Sequence, residues 1–130
     1  MTARDAMGMH VVLGIGGSAD SMLALRETAE RAATVGDDLT VAILENPSSE
    51  RSPAEIENLV REELDAYDLE ASVTHLDGQP GPALVSYAES NACDRLVLGG
   101  GRRSPMGKIA VGKIAEFVIL NADVSITLIR

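Results

Sequence analysis

A parallel α/β sheet covered by helices on both faces is the fold this sequence predicts, and three observations predict it. Short apolar runs alternate along the chain with longer amphipathic segments. The runs at 10–15 and 39–44 show little polar alternation, as befits strands buried on both faces, while 71–76 is weaker and, like 124–129, alternates. Glycines close the first and fourth runs, where such a fold turns from strand to helix and where its ligands bind.

The elements follow in order. His10 to Ile15 (HVVLGI) is a strand stopped by Gly16 and Gly17, and Ser18 is placed to cap the next helix. Met22, Leu25, Ala29 and Ala32 give that helix one apolar stripe, with Gly36 at its exit. Leu39 to Leu44 is the second strand, and the loop 46–51 follows. Ser52, Pro53, Ala54 and Glu55 then form a capping box with proline at the first helical position. Ile56, Leu59, Val60 and Leu64 are the buried face of that helix. Ala71 to Leu76 is a third strand, the segment 77–81 a turn, and Pro82 to Ala92 a helix. Arg95 to Leu98 is the fourth strand; a helix over about Gly112 to Asn121 and a strand from Val124 to Ile129 end the series.

At 130 residues and 45% apolar composition, the chain suits one domain spanning 1–130 with a real core. The single cysteine, Cys93, leaves no disulfide framework and no multi-cysteine metal site, and no metal is expected. No run approaches the ~20 apolar residues of a membrane helix, and MTARDAMGMH lacks the apolar core of a signal peptide. The expectation is a cytoplasmic protein with no membrane partner.

Eleven basic residues against twenty acidic ones give a net charge of −9. The distribution is uneven: residues 1–94 carry 5 basic and 18 acidic side chains, residues 95–130 carry 6 basic and 2 acidic. An acidic body repels nucleic acid, so none is expected as a partner. A basic segment within it points to one local anion site. Only two of the eleven basic residues are lysines, a composition suited to a salt-rich cytoplasm.

That segment holds the strongest chemical signal. Gly99, Gly100, Gly101, Arg102, Arg103 and Ser104 follow the fourth strand, and Gly112 and Lys113 open the last helix. Glycines let backbone N–H groups approach a ligand, a helix N-terminus favours negative charge, and arginines present forked donors for phosphate oxygens. All three select an anion. The P-loop pattern fails, because Arg102 stands where its first glycine belongs and Ile109 follows Lys108. Gly14, Gly16 and Ala19 match G-x-G-x-x-A, but a redox enzyme's second domain has no place in this length, and the NAD-linked reading is weak. No nucleophile–base arrangement is suggested: His10 and His75 read as structural or solvated, and Cys93 as a small buried residue. No catalytic residue is assigned, and the chain is not read as an enzyme.

The whole chain resembles a universal stress protein domain. The resemblance is carried by Val12 to Ser18, Leu39 to Leu44, Asp77 to Pro80, Cys93 to Gly99 and the block from Gly99 to Arg130. It implies a Rossmann-like three-layer α/β/α sandwich, of the adenine-nucleotide α-hydrolase-like kind, with a five-stranded parallel sheet of order 3-2-1-4-5. It also implies a homodimer formed through the last strand, placing Val124, Ile126 and Leu128 at the interface. ATP-binding members carry Gly-x2-Gly-x9-Gly-Ser/Thr; here Gly99 and Gly112 match, while Arg102 replaces the second glycine and Lys113 the hydroxyl residue. Gly16 stands where those members have a nucleoside-binding aspartate, and Leu39 keeps an aliphatic residue at the base pocket. Losing that aspartate removes about 1–3 kcal/mol if the contact was buried. The implied function is a stress-response domain that acts by binding, with weak or altered ATP or other adenine-nucleotide binding through Gly14, Gly16, Leu39, Gly99, Gly100, Arg102, Arg103, Ser104, Gly112 and Lys113. The alternative is a dimeric interaction module whose ATP site has decayed.

Overall fold

The computed structural model describes residues 8–16, 19–45, 50–100, 102–103, 109–110 and 112–129; at 19, 102, 103, 109 and 110 it describes the backbone alone. Five strands form one parallel sheet: β1 (His10–Ile15), β2 (Asp38–Leu44), β3 (Ser72–Leu76), β4 (Arg95–Gly99) and, after two short strands, β7 (Ser125–Ile129). Their order is β3-β2-β1-β4-β7, the 3-2-1-4-5 order of the five long strands. The helices are α1 (Ala19–Val35), α2 (Pro53–Ala66), α3 (Pro80–Ser90) and α4 (Lys113–Asn121).

Period-two alternation divides the strand side chains between two cores. Val11, Leu13, Ile15, Val41, Ile43 and Val97 pack with Leu25, Ala29 and Ala32 of α1 and with Ile56, Val60 and Leu64 of α2. Val12, Ala42, Leu44, Leu96 and Leu98 pack with Leu84 and Ala88 of α3 and Ala115 and Val118 of α4. Three layers follow directly, because each central strand has an apolar residue for both faces. No helix among the described residues is long and apolar enough to cross a membrane.

Local signals set several boundaries. Ser52 Oγ accepts from the Glu55 N–H at 3.2 Å, and the Ser52 N–H donates to Glu55 Oε1 at 3.4 Å, so the capping box is formed as read. The Ser18 cap lies outside the described residues. Met22 and Leu59 are half-buried rather than core, since each sits at the margin of its helix's apolar stripe. The third helix runs Pro80–Ser90, not Pro82 to Ala92. Pro80 occupies its first turn, where the missing N–H costs nothing. At its other end Ala92 takes a left-handed φ of 52°, and the Cys93 N–H reaches back to the Ala88 carbonyl at 3.2 Å, which ends the helix.

The segment between β4 and α4 contains two strands that the sequence reading missed. β5 (Arg102–Arg103) and β6 (Ile109–Ala110) pair antiparallel, Arg102 opposite Ala110 and Arg103 opposite Ile109.

β7 is the edge of the five-stranded sheet. Val124, Ile126 and Leu128 are partly buried against the α3–α4 core, so these side chains already pack within the chain.

Candidate functional site

Strand order reverses between β1 and β4, the adjacent strands whose following helices leave to opposite faces of the sheet. This is the crevice where open α/β sheets bind ligands. Gly14 is in register with Leu98, and two residues beyond that pair stand Gly16 and Gly100, at the carboxyl ends of the two strands. Both are buried. The Gly16 N–H donates to Ser21 Oγ at 3.2 Å, while the Gly100 N–H donates to the Ile129 carbonyl at 2.9 Å and extends the β4–β7 ladder by one step.

Gly99 is fixed by close approach. A Cβ there would collide with the carbonyl of Asp20 and stand 2.9 Å from the Ser21 nitrogen. The first turn of α1 thus lies directly on the end of β4, and only a residue without a side chain permits it.

The β5–β6 hairpin doubles the chain back: Arg102 pairs antiparallel with Ala110, so the segment that enters α4 runs back alongside the one that leaves β4. Gly112 is the N-cap of α4, with a left-handed φ of 86° and no side-chain cap. Its carbonyl accepts the first intrahelical bond, from the Glu116 N–H at 2.9 Å. The first N–H groups of α4 are left for another acceptor. Lys113 is exposed at this helix start.

The sequence-read residues therefore fall into three sets. Gly16, Gly99 and Gly100 stand together at the ends of β1 and β4, while Gly112 and Lys113 open the helix that follows the hairpin. Ser104 and the side chains of Arg102 and Arg103 lie outside the described residues; the backbone of both arginines is in β5. Gly14 and Leu39 do not join the site. Gly14 sits within β1 under α3, where a Cβ would stand 2.6 Å from Leu84 Cδ2 and 3.1 Å from Leu98 Cδ2, so it is a packing glycine. Leu39 pairs with Val11 at the amino-terminal end of β2 and is 1% exposed in the α1–α2 core. Parallel strands share a direction, so the crevice side of β2 is its far end, at Leu44 and Glu45. There Glu45 Oε2 accepts from the Gly78 N–H at 2.9 Å, and a cavity of about 180 Å3 opens between the ends of β2 and β3.

Side chains with catalytic potential are occupied elsewhere. His75 Nε2 lies 2.5 Å from Glu57 Oε1 on an exposed surface. The hydrogen bond from His75, then that from Arg61, holds the Glu57 carboxyl below its usual pKa. His10 stands in β1, with Nε2 3.4 Å from Thr40 Oγ1. Burial pushes the Cys93 thiol up, and its S–H donates to the Arg95 carbonyl at 2.9 Å. Among the described residues no three His, Cys, Asp or Glu side chains cluster as metal ligands would.

The profile of the universal stress protein family matches residues 7–130. No curated protein matches the chain by sequence. Among solved structures, the chain is similar to a universal stress protein from Archaeoglobus fulgidus, at 23% identity and TM-score 0.75, covering 94% of this chain and 98% of that one. A universal stress protein of Archaeoglobus fulgidus in complex with dAMP is similar at 21% identity and TM-score 0.70, over 95% and 99% of the two chains. A universal stress protein in complex with cAMP is similar at 22% identity and TM-score 0.69, over 94% and 97%.

Proposed function

The chain belongs to the universal stress protein family, and on that premise we propose that it acts by binding an adenine nucleotide in the crevice between β1 and β4. One observation carries the reading: Gly16 and Gly100 stand side by side where strand order reverses, and the β5–β6 hairpin doubles the chain back before the start of α4 at Gly112. Glycine backbone at strand ends beside a helix start is an arrangement suited to phosphate. The complexes of similar proteins with cAMP and dAMP support an adenine nucleotide as the ligand class.

Binding is altered by this chain's own residues. Arg102 and Lys113 replace a glycine and a hydroxyl, adding positive charge for phosphate in a molecule at −9. Gly16 offers no carboxylate to a nucleoside. Affinity then rests on the phosphate end, and turnover is not part of the function. We further propose a cytoplasmic homodimer joined along the β7 edge.

Titration calorimetry at moderate salt with AMP, ATP and inorganic phosphate tests the site. The expected result is measurable nucleotide binding that weakens by about five- to tenfold in Arg102→Ala and in Lys113→Ala. Binding indifferent to both substitutions overturns the assignment. Absence of binding to all three ligands turns the reading to the interaction module, which one observation favours: Ile119 and Leu120 of α4 are 44% and 74% exposed. Sedimentation at micromolar concentration tests the dimer, and a monomer refutes it.

A further inference from the structure

A second cavity, of about 320 Å3, lies on the α1 side of the sheet, where α1 overhangs β4 and β7. It differs from the crevice in kind: its walls are side chains, with Val11, Val97 and Ile129 as the apolar floor and Thr28, Arg95 and Thr127 as the polar part.

Two of those polar groups are buried without a hydrogen-bond partner among the described residues. Thr28 Oγ1 has none, although the residue is only 6% exposed. A helical threonine ordinarily bonds back to the carbonyl one turn earlier; Thr34 of the same helix does so, to Glu30 at 2.8 Å. Arg95 Nε is also buried and unpartnered, while its Nη1 donates to Thr127 Oγ1 at 3.0 Å. Three other arginines, Arg26, Arg31 and Arg61, each stand within 4.0 Å of a carboxylate. Arg95 has no carboxylate at that distance among the described residues, in a protein with nearly twice as many acids as bases.

A half-buried guanidinium without a counter-charge is costly unless an anion meets it. The other charges at the rim select which anion. Arg31 and Asp37 pair at 3.4 Å and cancel one another, and Asp37 Oδ1 also accepts from the Met9 N–H at 3.0 Å. Glu27 lines the mouth and disfavours a second negative charge. The volume falls at the lower end of the range that holds small organic molecules.

We infer that this cavity is a binding site for a small aliphatic monocarboxylate, its carboxylate accepting from Arg95 Nε and Thr28 Oγ1 and its apolar body resting on Val97 and Ile129. The site is independent of the nucleotide crevice. It uses no residue proposed for that crevice, and occupancy of one does not require the other.

The test is a titration of the full chain with isobutyrate, followed by calorimetry and by the chemical shifts of the Thr28 and Thr127 methyl groups. Saturable binding is expected, with or without saturating AMP. It should weaken at least about tenfold in Arg95→Gln and in the isosteric Thr28→Val, and by a similar factor when the neutral isobutyramide replaces the acid. AMP affinity should be the same in both variants. Three results overturn the inference: no saturable isobutyrate binding at tens of millimolar, as when water or a second copy of the chain fills the cavity; equal affinity for isobutyramide; or unchanged affinity in Thr28→Val. That conservative variant decides the matter should Arg95→Gln fail to fold.

Discussion

The crevice at the carboxyl ends of β1 and β4 and the cavity beneath α1 are built in opposite ways. The crevice, as proposed, is made of backbone, from Gly16, Gly99, Gly100 and Gly112. The cavity is made of side chains, contributed by β1, α1, β4 and β7. A backbone site demands residues that lack side chains, and clustered glycines at strand ends are visible in a sequence. A side-chain site can be assembled from an arginine, two threonines and a valine that look ordinary in any linear context. Absence of a side chain is a local property, whereas convergence of four side chains is a property of the fold.

The largest expected effect separates packing from binding. Leu39→Ala, in the buried core at the amino-terminal end of β2, should cost about 2–5 kcal/mol in urea unfolding while leaving the AMP affinity of the folded protein unchanged. A loss of affinity matched by little loss of stability would return Leu39 to the ligand site and break the contrast. Gly99→Ala comes next. Its new methyl meets the Asp20 backbone, which cannot swing aside as a side chain would, so about 1–3 kcal/mol of stability and most of the AMP binding should go together.

Smaller effects sharpen the same distinction between backbone and side-chain causes. Ala92→Gly should raise stability by about 0.5–1 kcal/mol, since glycine adopts the left-handed turn that ends α3 without a Cβ penalty. Denaturant midpoints for the two proteins check this. The smallest effect is ionic. The Glu57 carboxyl titrates below its ordinary 4.5 in the folded chain because His75 and Arg61 bond to it. Its stabilisation is therefore present above that value and is lost as pH falls through the lowered one. Melting temperatures of the wild type and Glu57→Gln should converge on acidification; an undiminished gap would contradict the pairing.

Much of the fold could be read without coordinates, and particular residues show why. Ser52 and Glu55 announced α2 because a capping box is completed within four residues of chain. The strands from Val11 and from Thr40 declared burial on both faces through unbroken apolar runs. Arg102–Arg103 and Ile109–Ala110 escaped notice, since two-residue strands carry no periodicity. Gly14 and Leu39 were misplaced for a related reason. Both glycine and leucine serve packing and binding alike, and nothing adjacent to Gly14 in sequence reveals that Leu84 presses on it from α3. Thr28 and Arg95 gave no signal at all: what distinguishes them is the partner each lacks, and partners are counted only in three dimensions.

By itself, then, the sequence determined where strands and helices lie, that the sheet is parallel and doubly covered, and that positive charge gathers after the fourth strand of an acidic chain. These depend on periodicity, capping and composition, which act over a few residues. The tertiary structure alone decided which glycines stand at the strand ends and which lie under a helix, that a hairpin precedes α4, and that Arg95 stands half-buried without a carboxylate among the described residues. Those depend on strand register and helix placement, which fold distant residues into contact and are fixed only when both cores are packed.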